Sequence, residues 1–145
     1  MKYVLSVFAL ATLVTASACL AAEHTPKEQA NIALVQRMLH ELERDNPSSA
    51  SVAEFFSDDC YIRWSEKDTP AQGKEAALKK LATLFPANTK YRIVIHQTFA
   101  KGPVVMNSRD DIEVTAGKEA HPFHVVGLFI VKDGKITTWS DYEDK

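Results

Sequence analysis

An α+β domain is expected of this chain, from three observations. Apolar residues recur at helical spacing as far as Pro86, the period changes to two from Tyr91 onward, and the alternating half contains a Lys132-Asp133-Gly134-Lys135 hairpin signal. Helices first and a strand meander afterwards predict N-terminal helices packed on one face of a curved antiparallel sheet. Such a sheet, closed over by helices, makes a cone with an apolar pocket.

The 145 residues are enough for one domain with one core. With 46% hydrophobic and 25% charged residues, the chain is neither disordered nor fibrous. The net charge of −2 comes without any basic block or Lys/Arg stripe, so no nucleic-acid partner is expected.

Residues 1–22 read as a secretory signal peptide: Lys2, a short apolar run from Val4 to Ala16, then small residues through Ala22. The run is short for a membrane span of about 20 residues. Cleavage after Ala18, Ala21 or Ala22 would release a periplasmic or secreted domain, residues 23–145, with no stable membrane span. The alternative is lipid anchoring at Cys19, though the residues before it are a degenerate lipobox. Cys60 is then the lone cysteine of the mature domain, expected as a small buried hydrophobe.

Thr25-Pro26-Lys27-Glu28 is a capping box with Pro at the first helical position. Ile32, Val35, Leu39 and Leu42 then mark a helix that stops by Asn46-Pro47. Ser51-Val52-Ala53-Glu54 predicts a second capping box, opening a short helix through Phe55 and Phe56. Cys60 to Ser65 is β-prone. Gly73 precedes a third helix with Leu78, Leu81, Ala82 and Phe85 on one face, and Pro86 ends it. Strands are expected at 91–99, 103–114, 122–131 and 135–142.

Strand 103–114 carries the most unusual pattern. Period two puts Asn107, Arg109 and Asp111 on one face, yet neither face is cleanly apolar. An Arg–Asp pair on an exposed sheet face would be worth little. The last strand places Trp139 and Asp141 on one face, where an apolar wall would raise the carboxyl pKa.

The segments Asn107-Ser108-Arg109-Asp110-Asp111, Val126 to Ile136 and Trp139-Ser140-Asp141-Tyr142 together resemble the limonene-1,2-epoxide hydrolase family. That family belongs to the wider nuclear-transport-factor-two and polyketide-cyclase group of cone folds, which are cystatin-like. The likeness is clearest over residues 103–144; over 27–85 it rests on helix order and the Phe-Phe-Ser-Asp-Asp run. The Gly-Xaa-Phe to Trp-Xaa-Asp-Tyr run signals the fold, and the Arg-Xaa-Asp pair adds specificity. The resemblance implies an Asp–Arg–Asp triad at Asp111, Arg109 and Asp141. By this likeness Asp141, ionised, takes a proton from water as the water attacks an epoxide carbon. Asp111, protonated, gives a proton to the epoxide oxygen, and Arg109 bridges both. No metal or cofactor is implied.

There is a departure. The family positions its water with a Tyr and an Asn two residues apart on the first strand; Ile62 and Trp64 stand there in this chain. Tyr61 and Arg63 belong to the opposite face unless a bulge brings Tyr61 inward, and Asn107 is a substitute candidate for holding water. A three-residue Lys-Asp-Gly loop would set Asp141 opposite Val125, and a two-residue loop opposite Val126. The first is preferred, since it lines the pocket with Phe123 and Val125 and sends His124 to the other face. Trp139, Asn107, Leu78, Leu81 and Phe85 complete the expected pocket.

His121 and His124 point to opposite faces of a strand, so they do not predict a metal pair. His96 reads as a structural or surface residue, and Gly73-Lys74 lacks the rest of a phosphate loop. The expected function is hydrolysis of a small apolar epoxide in an exported domain. The alternatives are a non-catalytic or isomerase-like pocket for an apolar small molecule, and an interaction module, because such sheets commonly form homodimers through their outer face.

Overall fold

The computed structural model describes residues 24–143. The leader expected over residues 1–22, with Cys19 and the cleavage positions, lies outside the described residues. No helix among those described is long and apolar enough to cross a membrane.

Helix α1, Pro26–Glu41, begins as its capping box requires. The Thr25 hydroxyl accepts from the Glu28 N–H, and Glu28 Oε2 accepts from the Thr25 N–H at 2.8 Å. The other Glu28 oxygen accepts from the Gly102 N–H at 2.8 Å, which ties the helix start to a β-turn 74 residues on. Val35, Met38, Leu39 and Leu42 are buried. Each such side chain is worth about 1.5–3 kcal/mol, enough to fix which face meets the sheet.

The next helix corrects the sequence reading. Helix α2, Ser49–Val52, is capped by Ser48, whose hydroxyl accepts from the Ser51 N–H; Ser51 is therefore the third helical residue and not the cap. A single 3-10 turn, Ala53–Phe55, leads into strand β1, Phe56–Arg63, earlier than its β-prone core suggested. Cys60 and Ile62 enter the core from β1, and burial pushes the Cys60 thiol pKa up. After the two-residue strand β2, Ala71–Gln72, helix α3 runs over Lys74–Ala82, with Gly73 before it at φ 83°.

The remaining strands are β3 (Thr89–Lys101), β4 (Val104–Thr115), β5 (Lys118–Glu119), β6 (Phe123–Lys132) and β7 (Lys135–Glu143). The sheet order is β2-β1-β7-β6-β4-β3, with β5 beside β4. The architecture is the expected helix-covered, curved α+β cone, with one difference in strand direction. β1 pairs with β7 in parallel, so the sheet is mixed. The chain leaves β1 through α3 and returns along the meander, so its last strand meets its first running the same way.

Two bulges set the registers of the antiparallel pairs. In β3, His96 has no partner between the Ile95↔Arg109 and Gln97↔Ser108 pairs. In β7, Thr137 is the extra residue between the Ile136 and Thr138 pairs, and its hydroxyl donates to the Ile130 carbonyl at 3.2 Å. This bulge overturns both hairpin registers considered from the sequence. Lys132 pairs with Lys135 across a two-residue turn, with Asp133 and Gly134 both at positive φ, as a type I′ turn needs. The bulge then adds one residue, so Asp141 lies opposite Gly127, not Val125 or Val126.

Candidate active site

Three adjacent strands build the site on their inner face. β4 contributes Asn107, Arg109 and Asp111; opposite them on β6 stand Gly127, Val125 and Phe123; beyond, on β7, Asp141 pairs with Gly127 and Glu143 with Val125. The mixed character of β4 has its explanation here: alternation points Asn107, Arg109 and Asp111 inward and leaves Ser108 and Asp110 on the outer face.

Arg109 is fully buried and joins all the polar members. Its Nε and Nη2 donate to the two oxygens of Asp111 at 2.8 and 3.0 Å, a two-pronged contact. Nη2 also donates to Asp141 Oδ2 at 2.7 Å, and Nη1 to Asn107 Oδ1 at 3.0 Å. Trp139 Nε1 donates to Asp141 Oδ1 at 2.7 Å, so both Asp141 oxygens are held. The Trp139 ring is itself fixed by Trp64, edge-on at 4.8 Å, and by Phe129 and Phe56.

Burial pushes the Asp141 carboxyl above its ordinary value; Arg109 and the indole N–H pull the other way without cancelling it, and the Asp111 charge adds to the rise. For Arg109, burial opposes the charged guanidinium, but the Asp141 and Asp111 charges outweigh it and hold the pKa above its usual range. A fully buried cation bridging two carboxyls is a costly arrangement for stability alone.

Above the triad lies a cavity of about 230 Å³. Asp111 and Asp141 form its polar floor, and Trp139, Val125, Phe123, Trp64, Tyr91 and Ile93 are among its walls. The sequence-predicted residues divide as follows. Asp111, Asp141, Trp139, Phe123 and Val125 line the cavity. Arg109 is bonded to both carboxyls from beneath. Asn107 is buried and bonded to Arg109, so it orients the guanidinium rather than holding water in the cavity. Leu78, Leu81 and Phe85 do not line the cavity: Leu78 and Leu81 pack into the core from α3, which ends at Ala82 rather than running to Pro86, so Phe85 packs against the core from the segment beyond the helix, and Leu84 of that segment reaches the cavity.

The first strand keeps its departure. Ile62 pairs with Trp139 and is buried, and Trp64 lines the cavity. The β1 register shift falls between Phe56 and Tyr61, and Tyr61 pairs with Thr138 on the other face. The Arg63 guanidinium turns with it to the Tyr142 hydroxyl at 3.1 Å. No bulge brings Tyr61 inward.

Gly127, Tyr91 and Ile93 were not anticipated as site residues. Gly127 has no side chain where Arg109 crosses β6; a Cβ there would lie 2.2 Å from Nη1 and 2.9 Å from Asn107 Oδ1. A glycine inside an apolar strand is the signal that marks such a close approach. Tyr91 and Ile93 alternate into the cavity from β3. Burial, with Glu113 and Asp111 nearby, pushes the Tyr91 phenol pKa up.

Comparisons agree with this architecture. The family model of the SnoaL-like domain matches residues 35–139. An M. tuberculosis epoxide hydrolase described as similar to limonene-epoxide hydrolases superposes with a TM-score of 0.69 at 25% identity, covering 82% of this chain and 86% of that one. A proposed SnoaL-like polyketide cyclase from Jannaschia sp. CCS1 superposes with a TM-score of 0.68 at 18% identity, covering 84% and 90%. A proposed ketosteroid isomerase from Kribbella flavida gives 0.62 at 14% identity, covering 82% and 81%. Among curated proteins, none matches the chain in sequence.

Proposed function

Since the chain belongs to the SnoaL-like domain family, we propose that its cavity is the active site of a hydrolase that adds water to a small apolar epoxide. The observation that carries this reading is Arg109 locked between Asp111 and Asp141 beneath a mostly apolar cavity, which Glu143 also lines. The likeness to the M. tuberculosis epoxide hydrolase supports it.

In the proposed step, the water oxygen bonds to one epoxide carbon while that carbon's bond to the epoxide oxygen breaks. Asp141, ionised, accepts the water proton; Asp111, protonated, donates to the leaving oxygen. The product is a vicinal diol, and the proton returns from Asp141 to Asp111 through water before the next turnover. A base works best with a pKa near the operating pH, and burial moves Asp141 in that direction. To carry its proton, Asp111 must release one prong of the Arg109 fork; Arg109 keeps its bonds to Asp141 and Asn107 meanwhile. Two carboxyls sharing one cation suit one proton between them.

The test is diol formation from a panel of small apolar epoxides by the wild type, Asp111→Asn and Asp141→Asn. Turnover by the wild type alone supports the reading; equal rates in all three refute it.

One observation favours a second reading. Ile62 and Trp64 occupy the inner-face positions where the resemblance expects water-holding polar groups. A cavity without a held water would bind an apolar small molecule, or act on it as an isomerase by proton transfer. Ligand binding without any diol, abolished by Asp141→Trp, would establish that reading in place of the first.

Export belongs to the same proposal. The exported protein should begin near Glu23 and carry no lipid by mass spectrometry. An intact Met1, or a diacylglyceryl mass on Cys19, would contradict it.

A further inference from the structure

We propose that His96, Asp110 and His124 form a binding site for a divalent transition-metal ion of the zinc class on the outer face of the sheet. The three residues come from β3, β4 and β6, and their ligand atoms all lie within 4.8 Å of one another. His96 Nε2 stands 3.0 Å from Asp110 Oδ2, and His124 Nδ1 stands 2.7 Å from Asp110 Oδ1. The two rings tilt toward each other with centroids 5.7 Å apart.

The backbone accounts for this convergence. Asp110 and His124 are direct cross-strand partners, so they share a face. His96 is the unpaired bulge residue of β3. Tyr91 and Ile93 face the cavity, so alternation along β3 puts His96 on the outer face with Asp110. No spacing in the sequence exposes the site, because its three members are brought together by cross-strand pairing. His121, the nearer histidine in sequence to His124, takes no part.

The donor set suits the ion. Two imidazole nitrogens and a carboxylate are ligands for zinc and its neighbours. With metal–donor bonds of about 2.0–2.2 Å, tetrahedral ligands lie roughly 3.3 Å apart. Closing the remaining distance needs only small rotations, and both histidine side chains are 42% exposed and free to make them. The far nitrogen of His124 faces the Ser108 hydroxyl at 3.5 Å, a partner able to set the ring's tautomer.

Asp110 points away from Arg109 and Asp111, its neighbours in sequence, so the ion would sit across the sheet from the cavity. Its role is to staple β3, β4 and β6. Three protein ligands leave a position open to water.

The experiment is a calorimetric zinc titration of the chelator-treated mature protein, paired with imidazole NMR of the same sample. One saturable equivalent is expected, with a higher melting temperature and shifted His96 and His124 resonances while His121 stays in place. His96→Gln and His124→Gln should each weaken binding roughly 10-fold or more, and His121→Gln should leave it unchanged. No saturable uptake, or zinc-induced shifts confined to histidines other than these two, would overturn the site, even if a variant failed to fold. Equal uptake by a folded His96→Gln/His124→Gln double variant would overturn it too.

Discussion

Gly127 lies directly beneath the guanidinium of Arg109: a Cβ at that glycine would stand 2.2 Å from Nη1. The end of an arginine is usually free to yield, but this one is fully buried and bonded to Asn107, Asp111 and Asp141. Gly127→Ala must therefore shift the bridge itself. Overpacking of this kind costs about 1–3 kcal/mol of stability, and a misplacement near 1 Å can lower a rate about 100-fold. Urea unfolding and diol formation by the variant measure both. Wild-type turnover in Gly127→Ala would mean that Arg109 is not a positioning element.

The two carboxyls should be separable by pH. With Asp141 as the base, activity falls on the acid side as Asp141 takes up a proton, at a pH above the ordinary aspartate range because burial raises it. Asp141→Asn and Asp111→Asn should each lower the rate roughly 10²–10⁴-fold, and the double variant should be little worse than either. Carboxyl-specific NMR titration of the resting protein checks the assignment. An Asp141 still protonated at the pH of maximal activity would exchange the two roles.

Trp139 acts on the same group from the other side. Its indole N–H favours the ionised Asp141, so Trp139→Phe should raise the Asp141 pKa and move the acid limb of the pH profile upward. Loss of a buried partner should also cost about 1–3 kcal/mol. A stability loss with an unmoved pH profile would make the indole merely structural.

Glu28 offers a prediction independent of any activity. The Gly102 N–H first, then the Thr25 N–H and hydroxyl, lower its pKa from 4.5 to about 2. Its folded pKa lies below its unfolded one. Its contribution is therefore complete above the ordinary carboxylate range and is lost as pH falls toward about 2. Glu28→Gln should reduce stability at neutral pH and flatten the pH dependence between about 5 and 2. Identical pH dependence in both proteins would show that the cap and turn contacts are not linked to folding.

The parts legible in the sequence were those written in local periods. The Thr25 capping box, the four long strands and the common face of Arg109 and Asp111 follow from spacing and end signals. The parts that were not legible depend on distant partners or a single inserted residue. The parallel pairing of β1 with β7 has no local signature. The Thr137 bulge sits inside an unbroken β-prone run, yet together with the two-residue turn it moves Asp141 to face Gly127. Ser48 and Ser51 are equally good caps by residue type, and the helix uses the earlier one. Triad membership came from resemblance. Its cohesion around Arg109 required the structure.

The central claim, one-step addition of water by the triad, is tested most directly by a single turnover with enzyme in excess in ¹⁸O-labelled water. The account predicts one labelled oxygen in the diol and none in the protein. Label in the Asp111 or Asp141 carboxyl, with unlabelled diol, would reveal a covalent ester and contradict it.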